Sequence, residues 1–378
     1  MSNLIDKIDS VTELDRNSNE GFREHLGMSG IGHPCSRKIW FSFRWCDSSS
    51  FKASTLYNFE DGNRCEKIIS DRIKSVKEVR LDTEDLKTGK QFNFKFFGGH
   101  FAGSLDGAMV GLDGDVFPKV WHVWECKSTN ESSFNTVRNL VEEDENTALQ
   151  NFNFTYYAQA VCYMKAAGLK NHYTVFCGPG GRGMLGVFTE ENTFLANTLF
   201  DKAEKIISSK KIPERVAESK SFYMCKMCEF TSICHDAKIA NVNCRTCVNS
   251  KPVMEGSEAQ WFCRVHNKML SKQDQINACD SHVFLPELVK HSDVVDFSAE
   301  ENWIAYKSKR TGDVWTNGDG KNKYAEKSHS SKEIKAASEF ADVLTNNEVN
   351  DLRSFFDARI VKQNNILEVS YSNKEQNE

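Results

Sequence analysis

The chain has 378 residues, more than one compact core usually organises, so we expect a main domain with smaller attachments. Its 39% hydrophobic and 27% charged residues are ordinary for a globular protein and exclude a wholly disordered chain. The formal net charge of -5 lacks the basic excess of many nucleic-acid-binding proteins, so any DNA contact must depend on a local cationic groove.

The N-terminal segment, Met1 to Asp15, is interrupted by charges and lacks the apolar run of a secretory signal. No stretch approaches the roughly 20 apolar residues that a membrane-spanning helix requires. We therefore expect a cytoplasmic protein. In that reducing compartment, the 13 cysteines favour bound metal over disulfides.

Helical and strand patterns alternate along the first half of the chain. Apolar residues recur at near-helical spacing from Phe59 to Lys77, which predicts a helix that carries Glu66. The elements predicted after it are a meander of strands at Phe92 to Phe97, Phe101 to Val110 and Val120 to Lys127, a helix from about Leu149 to Ala167 capped by Gly168, a strand at Tyr173 to Cys177, a short strand, and a helix at roughly Glu190 to Lys210. This order indicates a mixed α/β fold.

The third predicted strand carries an acidic and a basic side chain on one face. Because side chains alternate along a strand, Glu125 and Lys127 point the same way and Cys126 points the other way. Asp106 ends an earlier apolar stretch, so strand pairing can bring it beside Glu125. Two carboxylates and the backbone carbonyl of Cys126 suit Mg2+. A water bound to that metal can hydrolyse a phosphodiester, with Lys127 close by to orient or deprotonate the water.

Other side chains extend this candidate site. Glu66 can add an outer carboxylate, while Gln159 and Tyr163, four residues apart, share a helix face that can reach a substrate phosphate or hold Lys127. The alternatives remain open from the pattern alone. A lone Glu-x-Lys is also typical of a solvated strand edge, and Gln and Tyr commonly border the core of a half-buried helix.

The combination resembles the RecB-type branch of the PD-(D/E)XK nuclease superfamily, over roughly Gly27 to Asp236. The resemblance is carried by four motifs in order: Gly62 to Glu66, Asp106-Gly107, Glu125-Cys126-Lys127, and Gln159 to Tyr163. It implies a restriction-endonuclease-like core, a central mixed sheet flanked by helices. It also implies metal ligands at Asp106 and Glu125, a catalytic lysine at Lys127, a first-motif role for Glu66, and assisting roles for Gln159 and Tyr163.

One position departs from that pattern. The RecB branch often has His at the first-motif position, where this chain has Glu66, as lambda-type exonucleases do. The number of metal ions and the polarity of cleavage therefore stay open.

A first cysteine group, Cys225-x2-Cys228-x5-Cys234, needs a fourth ligand to complete a tetrahedral site, and Cys35 is the candidate. The segment around Cys35 resembles that of iron–sulfur nucleases related to CRISPR-associated and AddB-type enzymes, which implies a [4Fe-4S] cluster held by these four cysteines. Zinc in an all-thiolate site is the competing interpretation. Either metal would act as a structural clip that closes a long loop around the core.

A second group begins with Cys244-x2-Cys247 and continues through Cys263 and Cys279. Its spacing resembles a zinc ribbon only in part, and His266 competes with Cys279 as the fourth ligand. Zinc is the favoured metal, with a second iron–sulfur cluster as the alternative.

These observations predict four segments and one function. The segments are an N-terminal stretch (1–26), a nuclease core closed by the clip (27–236), a second cysteine-rich module (237–290) and a C-terminal accessory region with a disordered tail (291–378). The predicted function is that of an Mg2+- or Mn2+-dependent DNA exonuclease that acts on single-stranded DNA or duplex ends in recombination, repair or genome processing, with a recombination or helicase protein as the expected partner. The chain resembles stand-alone bacteriophage or bacterial enzymes of this type, so the expected cytoplasm is that of a bacterium or, for a phage-encoded protein, of the host cell. The alternatives are a DNA-trimming nuclease of the CRISPR type and a catalytically silent nucleic-acid-binding protein.

Overall fold

A computed structural model describes residues 3–20, 22–47, 51–112, 120–236, 238–309, 311–318, 327–338, 359–363 and 366–370. The chain forms two compact units. Unit 1 comprises residues 1–39, 49–208 and 254–259, and unit 2 comprises residues 40–48, 209–253 and 260–378. No helix in the described part of the chain is both long and apolar enough to cross a bilayer.

The described residues form helices α1 to α10 and strands β1 to β17. The helices are α1 (Leu4–Glu20), α2 (Ser36–Phe43), α3 (Ala53–Lys74), α4 (Glu131–Phe152), α5 (Phe154–Ala167), α6 (Thr193–Ser208), α7 (Tyr223–Lys226), α8 (Thr231–His235), α9 (Lys272–Asn277) and α10 (Ser331–Ser338). The strands are β1 (Leu26–Gly27), β2 (Arg80–Asp82), β3 (Asn93–Phe96), β4 (Phe101–Ser104), β5 (Gly107–Val110), β6 (His122–Ser128), β7 (Asn171–Cys177), β8 (Met184–Glu190), β9 (Ser250–Pro252), β10 (Trp261–Cys263), β11 (Lys268–Leu270), β12 (Ser292–Ser298), β13 (Trp303–Ser308), β14 (Val314–Gly318), β15 (Ser328–His329), β16 (Arg359–Gln363) and β17 (Ile366–Ser370).

The predicted mixed α/β class is confirmed, and unit 1 is built on a mixed sheet with the order β2-β5-β6-β7-β8. Only β6 and β7 run parallel in this sheet, while the other neighbours are antiparallel. One face packs against α3 through a core that includes Ile69, Trp124 and Val175. Helix α5 packs against β6 and β7 as well. Since side chains alternate along β6, Glu125 and Lys127 lie on the face opposite Trp124.

The predicted strand Phe101 to Val110 is wrong as a single element. It consists of two strands in different sheets: β4 pairs with β1 and β3, whereas β5 pairs with β2 and β6. Leu105 and Asp106 separate them and belong to neither strand. The predicted meander is therefore also wrong, because the chain changes sheets at the residue that carries a candidate carboxylate.

The helix predicted from Leu149 to Ala167 is two helices. Helix α4 ends at Phe152, and the side chain of Asn153 accepts hydrogen bonds from the amides of Thr155 and Tyr156 to begin α5. Gly168 ends α5 with φ 66° and ψ 27°, the left-handed conformation that glycine adopts without steric cost. The cap predicted at Gly168 is thus confirmed, and it fixes the length of the helix that carries Gln159 and Tyr163.

The described residues of unit 2 form three small sheets, with the orders β9-β10-β11, β12-β13-β14-β15 and β16-β17. Its interior holds two buried arginines among aromatic rings. Arg245 stacks on Trp45 at 3.6 Å from the ring centroid and donates to the Phe43 carbonyl and to Gln275. Arg44 donates to the carbonyls of Ser209 and Arg245. Buried guanidinium groups need such partners because desolvating an unpaired charge is costly.

Candidate active site

Strand β6 brings the predicted Glu-x-Lys pair into the interior of unit 1. Glu125 is only 5% exposed, so it does not lie on a solvated strand edge. The preceding residues, Val123 and Trp124, are fully buried, which anchors this part of the strand on both faces of the sheet. The solvated-edge interpretation of the pattern is therefore excluded.

Asp106 lies beside Glu125 because β5 pairs with β6. Gly107 is opposite Trp124 in the register, and the Oδ2 atom of Asp106 accepts a hydrogen bond from the backbone amide of Cys126 at 2.9 Å. A glycine is required at position 107, since a Cβ there would lie 2.8 Å from the Asp82 carbonyl oxygen. The short Asp-Gly sequence thus allows the close strand pairing that holds this carboxylate in place.

The two oxygens of Glu125 have different surroundings. Oε1 accepts hydrogen bonds from Lys127 Nζ at 2.6 Å and from Gln159 Nε2 at 2.9 Å. Oε2 is buried and has no hydrogen-bond partner among the residues that the structure describes. Since buried polar atoms are nearly always paired, the second oxygen marks a place where a further ligand would bind.

Lys127 is held on three sides. In addition to Glu125, its ammonium group donates to Gln159 Oε1 at 3.2 Å and lies 4.9 Å from the centroid of the Tyr156 ring. Burial opposes the charged form of Lys127, but the Glu125 carboxylate and its hydrogen bond outweigh burial and raise the pKa of the ammonium above its usual value. Tyr156 was missed in the sequence, although it precedes Gln159 by three residues and so lies on the same helix face.

Helix α5 places Gln159 and Tyr163 toward this pair. Gln159 is buried and connects Glu125 with Lys127, as predicted for a residue that holds the lysine. The Tyr163 ring packs against Gly103, where a Cβ would lie 2.6 Å from Cε1. Burial, followed by the Glu125 charge, raises the pKa of the Tyr163 phenol, which therefore stays protonated at neutral pH.

Three carboxylates share this region. Burial raises the pKa of Asp106 well above its usual value, and the charges of Glu125 and Glu66 raise it further. Burial and the charge of Glu125 also raise the pKa of Glu66 on α3. Carboxylates that raise one another's pKa values lie in a region where a cation is favourable. All six predicted site residues thus lie within unit 1, and Glu66 is close enough to interact electrostatically with Asp106, Glu125 and Lys127.

In the described residues, no group of three or more His, Cys, Asp or Glu side chains is arranged to hold a metal ion as it stands. Mg2+ usually binds through only one or two carboxylates and keeps several waters. Asp106 and the unpartnered oxygen of Glu125 match that donor set.

The first cysteine group forms a compact turn in unit 2. Cys225 lies in α7 and Cys234 in α8, and the hydroxyl of Thr231 donates to the carbonyls of both Cys225 and Cys228. The proposed fourth ligand, Cys35, belongs to unit 1. The clip and its metal stay a prediction.

Comparisons with known proteins give no family for this chain. No family model and no curated protein matches it. Two solved structures are similar over part of the chain. The crystal structure of SSO0001 is 13% identical with a TM-score of 0.34, covering 62% of this chain and 96% of its own. An alkaline exonuclease, LHK-Exo from Laribacter hongkongensis, is 12% identical with a TM-score of 0.33, covering 53% of this chain and 90% of its own. Similarities of this size carry no argument about function.

Proposed function

We propose that the protein is an Mg2+- or Mn2+-dependent DNA nuclease, an exonuclease that acts on single-stranded DNA or duplex ends in recombination, repair or genome processing. The observation that carries this proposal is the asymmetric environment of Glu125. One of its oxygens is held by Lys127 and Gln159, while the other is buried without a partner beside a second carboxylate, Asp106. A divalent cation would bind both carboxylates and offset their negative charge.

Asp106 and Glu125 would hold the cation, with the Cys126 carbonyl as a further oxygen ligand. When bound, such an ion polarises a phosphoryl oxygen and generates a nucleophile from water at neutral pH. The donors are all oxygens, which suits Mg2+ or Mn2+ better than a softer metal. Glu66 would contribute an outer carboxylate that orients water.

The remaining side chains act on the substrate directly or through Lys127. The Lys127 ammonium is fixed by two hydrogen bonds and an aromatic ring, so it presents a preorganised positive charge. Such a charge binds a phosphate oxygen and offsets the negative charge that develops in the transition state. Gln159 positions this group without touching the substrate. The phenol of Tyr163 can donate a hydrogen bond to a phosphate oxygen.

We propose DNA as the substrate because of the motif resemblance, since a site that hydrolyses phosphodiesters does not by itself distinguish deoxyribose from ribose. Because the net charge is -5, DNA binding must depend on a local cationic groove. Cleavage should therefore show a modest dependence on salt, compared with that of a strongly basic nuclease.

Replacing Lys127 by Ala tests the proposal, because the substitution removes the ammonium group but leaves both of the carboxylates proposed to bind the metal ion. We expect cleavage of end-labelled DNA to fall by at least about 100-fold. We expect DNA binding, measured by fluorescence anisotropy in Ca2+, to change much less. The matched control is Lys67→Ala on α3, an exposed lysine next to Glu66 that forms an ion pair with Asp71.

Cleavage that survives Lys127→Ala at the wild-type rate would contradict the assignment of this site. Wild-type protein that binds DNA but never cleaves it, with either cation, would instead support the catalytically silent binding protein.

A further inference from the structure

Four cysteines and His266 line one cavity of about 450 Å³ in unit 2, together with Asp274 and His282. The cysteines are Cys244, Cys247, Cys263 and Cys279. Three of the four thiols are buried, at most 8% exposed, and Cys279 is half-buried. Such convergence of four cysteines from separate elements is unusual for thiols that only fill a core, since single buried cysteines serve that purpose elsewhere.

The first two thiols belong to one tight turn. The Cys247 amide donates to the Cys244 carbonyl at 3.2 Å, and Asn243 caps the turn with its side chain. The amide of Asn249 donates to the sulfur of Cys247 at 3.4 Å. A backbone N–H directed at sulfur stabilises a thiolate, and outer hydrogen bonds of this kind orient metal ligands.

The other ligands come from the hairpin and the helix that follow. Cys263 ends β10, His266 lies in the turn before β11, and Cys279 follows α9. Helix α9 begins with a reciprocal cap between Ser271 and Asp274. The imidazole Nε2 of His266 lies 3.3 Å from the sulfur of Cys279.

The interior of the cavity places the sulfurs within electrostatic range of one another. Burial raises the pKa of Cys244 to about 12, and Cys247, Cys279 and Cys263 add to the shift. Burial likewise raises the pKa of Cys279, against a hydrogen bond from the Ser281 amide. The side chains as placed do not form a ready metal site among the described residues, so binding requires rotation about their χ1 angles.

We propose that Cys244, Cys247, Cys263 and Cys279 bind a structural Zn2+ ion, with His266 as an outer partner that donates to the Cys279 thiolate. Zinc prefers four ligands in a tetrahedron and is commonly held by four cysteines in structural sites. The elements it would join are short: β9, β10 and β11 have three residues each and α9 has six. Elements this small bury little apolar surface, so a metal can supply much of their stability.

Metal analysis of the purified full chain tests this assignment, with zinc and iron counted per chain. We expect Cys263→Ala to contain one zinc fewer than the wild type. The control is Cys46→Ala, since Cys46 is a buried thiol of unit 2 that is not among the described residues lining the cavity. The difference in zinc content between the variant and the wild type reports on this site alone, because any metal at Cys225, Cys228 and Cys234 is present in both proteins.

A measurement on the unmutated chain covers the case in which Cys263→Ala does not fold. Zinc-depleted wild-type protein should take up one Co2+ at this site and show the visible bands of a tetrahedral ion with thiolate charge transfer. His266→Ala should keep both the zinc and those bands. Full zinc in Cys263→Ala, or wild-type protein without zinc that binds no Co2+, would overturn the proposal. Loss of the metal in His266→Ala but not in Cys279→Ala would overturn the four-cysteine ligand set, and iron in place of zinc would overturn the choice of metal.

This proposal stands apart from the proposed nuclease activity. All five residues lie in unit 2, and neither readout measures cleavage.

Discussion

Gln159 joins both members of the central pair, since its Oε1 accepts from Lys127 and its Nε2 donates to Glu125. Gln159→Leu would keep the size of the side chain but leave both partners without this contact. We expect the cleavage rate to fall about 10- to 100-fold, as for other outer-sphere residues, while the affinity for DNA changes little. Single-turnover kinetics and anisotropy would measure the two effects separately.

Gln150→Leu is a suitable control, because Gln150 is exposed on α4. Equal loss of rate in both variants, or a loss of binding alone in Gln159→Leu, would contradict the positioning role.

His172 on β7 gives the protein a pH dependence that the sequence does not reveal. Burial lowers the pKa of His172 to about 3, with smaller contributions from Lys127 and His122. In the unfolded chain the pKa is about 6.5, so as the pH falls the unfolded state takes up the proton first. This group therefore contributes stability above pH 6.5 that is lost as the pH falls from about 6.5 towards 3.

His172→Phe removes that proton uptake. Between pH 6.5 and 5.5, we expect the wild type to lose about 1 kcal/mol of unfolding free energy through this group, and His172→Phe to lose less by that amount. Urea denaturation at both pH values measures the difference. His291→Gln, at an exposed histidine, should match the wild-type slope; a slope unchanged in His172→Phe would show that His172 is not buried in its neutral form.

At the scale of elements, the contact between β4 and α5 fixes the position of Tyr163. A Cβ at Gly103 would lie 2.6 Å from Cε1 and 3.0 Å from the hydroxyl of Tyr163, and 3.1 Å from the Cβ of Met28. Gly103→Ala should therefore displace the ring and destabilise unit 1 by about 1–3 kcal/mol, the usual cost of overpacking. Chemical denaturation would measure this change.

Gly30→Ala is the matched control, since a Cβ at Gly30 meets no atom within 4 Å. Equal stability of the two variants would contradict the described packing of Tyr163 on β4.

The predictions were most accurate for elements whose bounds follow from a single local sequence pattern. Strand β6 and the end of α5 followed from alternation and from Gly168. The division between β4 and β5 could not be predicted, because the alternation of side chains does not reveal a change of pairing partners at Asp106. Local pattern shows which residues favour a strand, whereas the sheet that each strand joins depends on distant segments.

Most of helix α4 was not predicted from the sequence. The helix is rich in acidic and polar residues, and few buried side chains, such as Phe134 and Val137, attach it to the core. Asp144, with φ −162° and ψ 103°, interrupts the helix and breaks its period further. Packing against β8 stabilises a helix whose own sequence pattern is weak.

For the molecule as a whole, the sequence predicted the functional residues better than it predicted the contacts between them. Asp106, Glu125 and Lys127 were predicted together because strand pairing joins neighbouring segments. The unpartnered oxygen of Glu125 and the contact of Tyr156 with Lys127 were not, since both depend on tertiary packing. Similarly, the sequence grouped Cys244, Cys247, Cys263 and Cys279 and left His266 as an alternative to Cys279, but only the fold shows that all five line one cavity.

A single nuclease assay can test whether Glu125 supports metal-dependent cleavage of DNA. Anaerobically purified protein would be incubated with end-labelled single- and double-stranded DNA in Mg2+, Mn2+ or EDTA, beside Glu125→Gln and the control Glu131→Gln, whose side chain is exposed at the start of α4. We expect cleavage by the wild type and Glu131→Gln with either cation, none in EDTA, and at least about 100-fold less in Glu125→Gln. Cleavage that persists in EDTA, or in Glu125→Gln at the wild-type rate, would show that cleavage does not depend on a metal ion held by Glu125.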